Sequence, residues 1–173
     1  MEIAKLLLSK KYQVFGYSRT NTIKHQNFTF TKIDLSNLQE VQKLKFPKVN
    51  NRDVLLINNA ARIGEIIPLN LKKHTDIIND YNLNIISPSI LCSKFININD
   101  GNKKMIINIS SGAANSSIAC WSTYCATKSA LDQLTNVIAE EKHANLTIFS
   151  IHPGIVDTQM QVEIRGANAN LFP

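Results

Sequence analysis

Cysteine and histidine are scarce in this chain of 173 residues, and neither is arranged for metal chemistry. Cys92, Cys120 and Cys125 are odd in number and lack ligand spacing. That points away from a disulfide framework or a zinc site and toward a reducing, cytoplasmic interior. His25, His74, His143 and His152 show no ligand spacing either, so no metal is expected. There is no signal-peptide pattern and no apolar run of membrane-spanning length, so no membrane partner is expected. Basic residues outnumber acidic ones, 19 to 13, for a net charge of +6. The lysines are nevertheless scattered, without a basic helix or an aromatic-interleaved patch, so nucleic acid is not an expected partner. Anionic small-molecule cofactors suit the same balance.

With 44% hydrophobic and 18% charged residues, residues 1–173 have the composition of one globular domain. No repeat or linker divides them. The chain alternates strand and helix signals: a helix over residues 1–10, strands over 12–18 and 28–34, and a helix capped by Ser36 and running to about Leu44. DVLLINNA (53–60) is a continuous apolar strand of the kind buried on both faces of a parallel sheet. A long helical stretch spans residues 71–97, where Pro88 suggests a kink. Then come the strand MIINI, a helix from about Ser122 to His143, the strand at 145–151, a short helix near Asp157 and a tail, GANANLFP, without structural signal. Such alternation predicts an α/β fold with a parallel, doubly wound sheet.

The stretch from Met105 to Leu134, MIINISSGAANSSIACWSTYCATKSALDQL, carries the chemistry. An apolar strand ends in a loop of small residues, and a helix follows. Tyr124 and Lys128 are four apart, so they share one helix face and reach one ligand. A phenol with an ordinary pKa of roughly 10 is a poor acid–base group at neutral pH, and an adjacent ammonium favours the phenolate. Ser111, at the strand end, is placed to hydrogen-bond the same substrate oxygen. Together they suit moving a proton on or off an oxygen while another group moves a hydride. A Tyr-x-x-x-Lys pair alone recurs by chance; with a Ser thirteen residues upstream at a strand end it is specific.

At these residues the chain resembles the short-chain dehydrogenase/reductase family, and the likeness extends over nearly all of its length. HPGIVDTQMQVEIR, SSGAA and WSTYCATKSALD look like the branch containing sepiapterin reductase and bacterial benzil reductase. The resemblance implies hydride transfer from NADPH to a ketone or diketone. Tyr124 would donate the proton, Lys128 would lower the tyrosine pKa and hold the nicotinamide ribose, and Ser111 would polarise the carbonyl. Asn84, chosen over Asn82 for its spacing to Ser87-Pro88, would complete a proton relay through a water. Arg19, in the carboxylate-free YSRT after a strand, would accommodate a 2′-phosphate, favouring NADPH over NADH. Asp34 would contact adenine, or else simply start a helix beside Ser36. Asn58, Asn59 and Ala60 match the family's Asn-Asn-Ala-Gly turn, with Ala61 in place of Gly. Pro153, Gly154, Ile155 and Thr158 would hold the nicotinamide carboxamide. Trp121 would wall the substrate pocket or pack in the core. The helices over 71–97 and 122–143 would form a homodimer interface.

Set beside that family, the sequence begins inside the first helix. The opening strand with its Gly-x-x-x-Gly-x-Gly turn has no counterpart, nor do the last helix and strand. The expected fold is a Rossmann-like doubly wound parallel sheet lacking the first strand and the C-terminal strand. Two origins fit: a piece of a longer protein, or a reading frame opened at an internal Met. Two functions fit as well: an NADPH-dependent reductase, or a non-catalytic fragment that keeps only a dimerisation role.

Overall fold

In the computed structural model, residues 2–49, 52–98 and 103–167 are described. Among the described residues five strands form in order: β1 (Val14–Ser18), β2 (Phe28–Lys32), β3 (Val54–Asn58), β4 (Lys104–Ile109) and β5 (Leu146–Ile151). All pairings are parallel, as the continuous apolar runs predict. The strands hydrogen-bond in two groups, β1 with β2, and β3 with β4 with β5. β1 and β3 share no ladder.

Helices α1 (Glu2–Ser9), α2 (Leu38–Lys43), α3 (His74–Tyr81), α4 (Ser87–Ile96), α5 (Ser122–Glu140) and α6 (Gln159–Arg165) alternate with the strands. Several sequence expectations need correction. The N-cap of α2 is Asn37, whose side chain accepts from the Gln39 amide, rather than Ser36. Ser36 instead gives both its amide and its hydroxyl to Asp34 Oδ1. The helix expected over 71–97 begins at His74, after a separate turn at Leu69–Leu71. Its irregularity precedes Pro88: Asn82–Ile86 is a widened π turn in which the Ser87 amide reaches the Asn82 carbonyl. Pro88 has no amide to offer the Asn84 carbonyl, and a wider turn takes up the mismatch that the sequence suggested as a kink. The C-terminal helix ends of the sequence reading shorten too, with α5 stopping at Glu140. Most of the expected tail, residues 168–173, lies outside the described residues.

Helices α4 and α5 cover one face of β3–β5, burying Cys92, Phe95, Ile106, Ile138 and Ile148. A second cluster of Ile33, Val41, Leu44 and Leu91 joins β2 and α2 to α4. Phe46 links the two, standing edge-on to Tyr17 at 5.9 Å and to Phe95 at 5.8 Å. Lys94 Nζ donates to the Gln42 and Leu44 carbonyls, which α2 leaves unpaired at its end.

Polar side chains thread this apolar layer. Asn58 Nδ2 donates to Asn108 Oδ1 at 2.8 Å, and Asn108 Nδ2 donates to Thr135 Oγ1 at 2.8 Å, so β3, β4 and α5 are stitched at one depth. Asn108 is fully buried. Replacing it removes an acceptor and a donor at once and leaves each buried partner short of one bond, Asn58 with only the Cys92 sulfur and Thr135 with only the Leu131 carbonyl. Asn108→Ala is expected to lower the unfolding free energy by about 2–4 kcal/mol in urea denaturation, at roughly 1–3 kcal/mol for each orphaned group.

Candidate active site

Within each sheet the strands point one way, so the loops after their C-terminal ends gather at a common edge, where ligands of such sheets bind. Arg19 follows β1, Asp34 follows β2, Asn59 and Ala60 follow β3, Ser111 follows β4, and His152–Gly154 follow β5. Arg19 is close enough to Asp34 to act on its carboxyl, which is held below the usual range chiefly by the Ser36 hydroxyl and amide, with Arg19 adding to them.

Ser111 is extended and stands before the short turn Gly112–Asn115, where its hydroxyl accepts from the Ala113 amide at 3.2 Å. Tyr124 lies in the first turn of α5, buried with Ile63, Ile66 and Ala113 and edge-on to Trp121 at 5.7 Å. Lys128 sits one turn further, buried, with Nζ donating to the Ile109 carbonyl at 2.7 Å and 5.7 Å from the Tyr124 ring centre.

Burial raises the Tyr124 pKa above the ordinary value, and a hydrogen bond from Ser111 opposes that rise. The sequence expectation that Lys128 would pull the phenol down is corrected here. Lys128 donates a hydrogen bond to a main-chain carbonyl, and burial depresses its own pKa to about 8, against a raising influence from Asp132 one turn along. Tyr124 is therefore a neutral phenol at pH 7.

The remaining expected residues divide by what holds them. Asn84 is buried, and its side chain clasps the main chain of Arg62: Oδ1 accepts from the Arg62 amide at 2.9 Å and Nδ2 donates to its carbonyl at 2.8 Å. Nδ2 also donates to Thr127 Oγ1 at 3.1 Å, so Asn84 meets α5 beside Lys128 rather than at it. Asn58 is buried in the stitch already described, whereas Ala60 is exposed. Pro153, Gly154 and Thr158 are exposed, Ile155 is 90% exposed, and Gly154 takes φ +73 in open space. Thr158 is the N-cap of α6: its carbonyl accepts from the Gln161 and Val162 amides, and its side chain makes no capping hydrogen bond. His152 Nε2 lies 2.8 Å from Asp132 Oδ2 and ties this loop to α5.

Sequence reasoning missed a buried charged cluster beside this site. Lys72, Asp80 and Thr123 bond one another, and Arg62 joins them. Its members come from a turn, a helix and a helix start with no common spacing; the one available sign was Gly64 in a loop of large residues.

The donor set suits a nicotinamide dinucleotide: Lys128 and the exposed Thr158 would meet its nicotinamide end, and Arg19 and Asp34, after β1 and β2, its adenosine end.

Residues 1–169 match the family description "short chain dehydrogenase". The chain belongs to the short-chain dehydrogenase family. As a member it is an NAD(P)-dependent oxidoreductase acting between C=O and CH–OH groups. It is 31% identical to benzil reductase ((S)-benzoin forming) of Bacillus subtilis, with 98% of this chain and 75% of that protein covered. To sepiapterin reductase of Meriones unguiculatus it is 35% identical, over 72% of this chain and 48% of that protein. Among solved structures, a short-chain dehydrogenase/reductase of Burkholderia vietnamiensis superposes with a TM-score of 0.82 at 26% identity, covering 97% of this chain and 86% of that one. No described helix is long and apolar enough to cross a membrane.

The buried Lys128 sets a pH dependence of stability. Burial disfavours its protonated form, so that cost is present below about pH 8 and is relieved as pH rises toward the ordinary lysine value of 10.5. The difference in unfolding free energy between the parent chain and Lys128→Met should move by about 2 kcal/mol in the parent's favour from pH 7 to 10, as read by urea denaturation of both across that range; the Cys92 thiol, which burial pushes up to about 11, acts in the opposite sense but is common to the two.

Proposed function

We propose that this chain is an NADPH-dependent reductase of ketones or vicinal diketones carrying an aromatic group. The reading rests on one observation above all: a buried Tyr124 hydrogen-bonded by Ser111, one helical turn from a buried Lys128. NADPH supplies the hydride when bound. Ser111 hydrogen-bonds the carbonyl oxygen and Tyr124 gives that oxygen its phenolic proton as negative charge develops. A tyrosine that burial keeps protonated holds the proton that the reduced oxygen needs. Lys128 would hold the nicotinamide ribose. Asn84 acts through position, by holding the Arg62 loop and α5.

Trp121, Ile63, Ile66, Met160 and Ile164 line the Tyr124 side of the site, an apolar wall suited to an aromatic substituent. Benzil and sepiapterin reductases among its relatives act on such carbonyl compounds by name. Arg19 at the end of β1, with no carboxylate in YSRT, favours NADPH. Exposed Ile78, Tyr81, Ile86 and Val137 on the helical segments 74–96 and 122–140 support a homodimer. Three free cysteines suit a cytoplasmic location.

A second reading, a non-catalytic chain that retains only dimerisation, is favoured by the missing ladder between β1 and β3. NADPH fluorescence titration and benzil reduction separate the two. The reductase reading expects binding and turnover, with Tyr124→Phe lowering kcat by about 10²–10⁴-fold. It expects Arg19→Ala to weaken NADPH by about tenfold or more and to leave NADH unchanged. A chain that dimerises but neither binds NADPH nor reduces benzil sinks it in favour of the second.

A further inference from the structure

Helix α5 begins without a side-chain cap. Trp121 occupies its N-cap position and makes no side-chain capping hydrogen bond, although the first turn carries Tyr124. The start of the helix is held from the side. Thr123 Oγ1 donates to Asp80 Oδ2 at 2.7 Å and accepts from Lys72 Nζ at 2.7 Å. Lys72 Nζ also donates to Asp80 Oδ2 at 2.8 Å. The Lys72 and Asp80 side chains are 1% and 0% exposed. Arg62 Nε stands 2.9 Å from the other carboxylate oxygen, and Arg62 also faces Asp76 at 3.5 Å, so the charges balance in pairs.

The loop above is shaped to this carboxylate. Gly64 takes φ +72, and a Cβ there would lie 2.5 Å from Asp80 Oδ2. Both facts call for glycine. A buried ion pair is a weak means of stabilisation, because desolvation offsets most of the attraction and apolar residues of equal volume would hold as well. What three mutually bonded groups add is a single permitted geometry.

We propose that Lys72, Asp80 and Thr123 are a positioning device for Tyr124: they set the height and rotation of the first turn of α5, and so where the phenol meets Ser111. The proposal rests on the reductase reading above.

Thr123→Val tests it, since it keeps the side-chain shape and removes only the hydroxyl from the cluster, and Thr123→Ser restores that hydroxyl. The measurements are kcat and KM for benzil with saturating NADPH, and near-UV circular dichroism of Trp121. That residue is the chain's one tryptophan and touches Tyr124. Thr123→Val should lower kcat by about tenfold or more with KM little changed, as misplacement of a reacting group does. Its Trp121 signal should shift, and Thr123→Ser should recover both. Parent-like kcat and signal in folded Thr123→Val, or a Thr123→Ser as impaired as the valine variant, would overturn the proposal. If Thr123→Val does not fold, Thr123→Ser and Thr123→Ala replace the comparison on the same readouts, with alanine expected to fail and serine to hold. A parent chain that neither binds NADPH nor reduces benzil counts against the reductase reading. The positioning proposal is then decided by the Trp121 signal, which must shift in the valine variant and return in the serine variant.

Discussion

Asp80 and Asn84 are four residues apart on one helical segment, and Thr123 and Thr127 are four apart on α5. Asp80 bonds Thr123 and Asn84 bonds Thr127, so the two helices meet through two buried polar rungs one turn apart. Each rung also grips the loop after β3, the first through the Arg62 side chain and the second through the Arg62 main chain. Tyr124 and Lys128 each follow a rung residue by one position. Once the rungs are made, the placement of both is settled, because one residue along a helix is a fixed rotation and a fixed rise. Apolar contacts alone would leave sliding and rotation nearly free, whereas directional bonds in a dry interior do not.

The electrostatics follow from the same enclosure. The site is built in a layer where Ile63, Ile66 and Ala113 exclude water around Tyr124. Removing water disfavours charge on either partner, so the phenol is pushed up and the ammonium down. A proton donor and a more acidic ammonium result, each with a main-chain or hydroxyl partner. The loop after β5, by contrast, is open to solvent and is tied back by His152 on Asp132 and by Arg165 on Asp157.

The five strands supply a frame with an interruption. β3, β4 and β5 form a continuous parallel unit under α4 and α5, while β1 and β2 attach to it through side chains, chiefly the Tyr17–Phe46–Phe95 series. Ser111, Tyr124 and Lys128 all belong to the three-stranded unit and its helices, whereas Arg19 and Asp34 follow strands of the other.

Strand identity, the parallel arrangement and the Ser111–Tyr124–Lys128 set were legible from sequence because each is local. Apolar runs mark β3, β4 and β5, and spacing along one helix places Tyr124 with Lys128. The α2 cap was missed by one residue because Ser36 and Asn37 are both good caps, and only Asp34 decides which side chain is taken elsewhere. The direction of the Tyr124 shift was misjudged because an ammonium four residues away is visible in sequence, while the water-excluding wall and the Ile109 carbonyl are not. The buried cluster was invisible for the same reason. Lys72, Asp80 and Thr123 look like ordinary surface residues in the chain, and only tertiary packing brings a turn, a helix and a helix start together. Local pattern determined which groups this protein has for its chemistry; long-range contact decided how much water they see and what they lean on, and those set their protonation and placement.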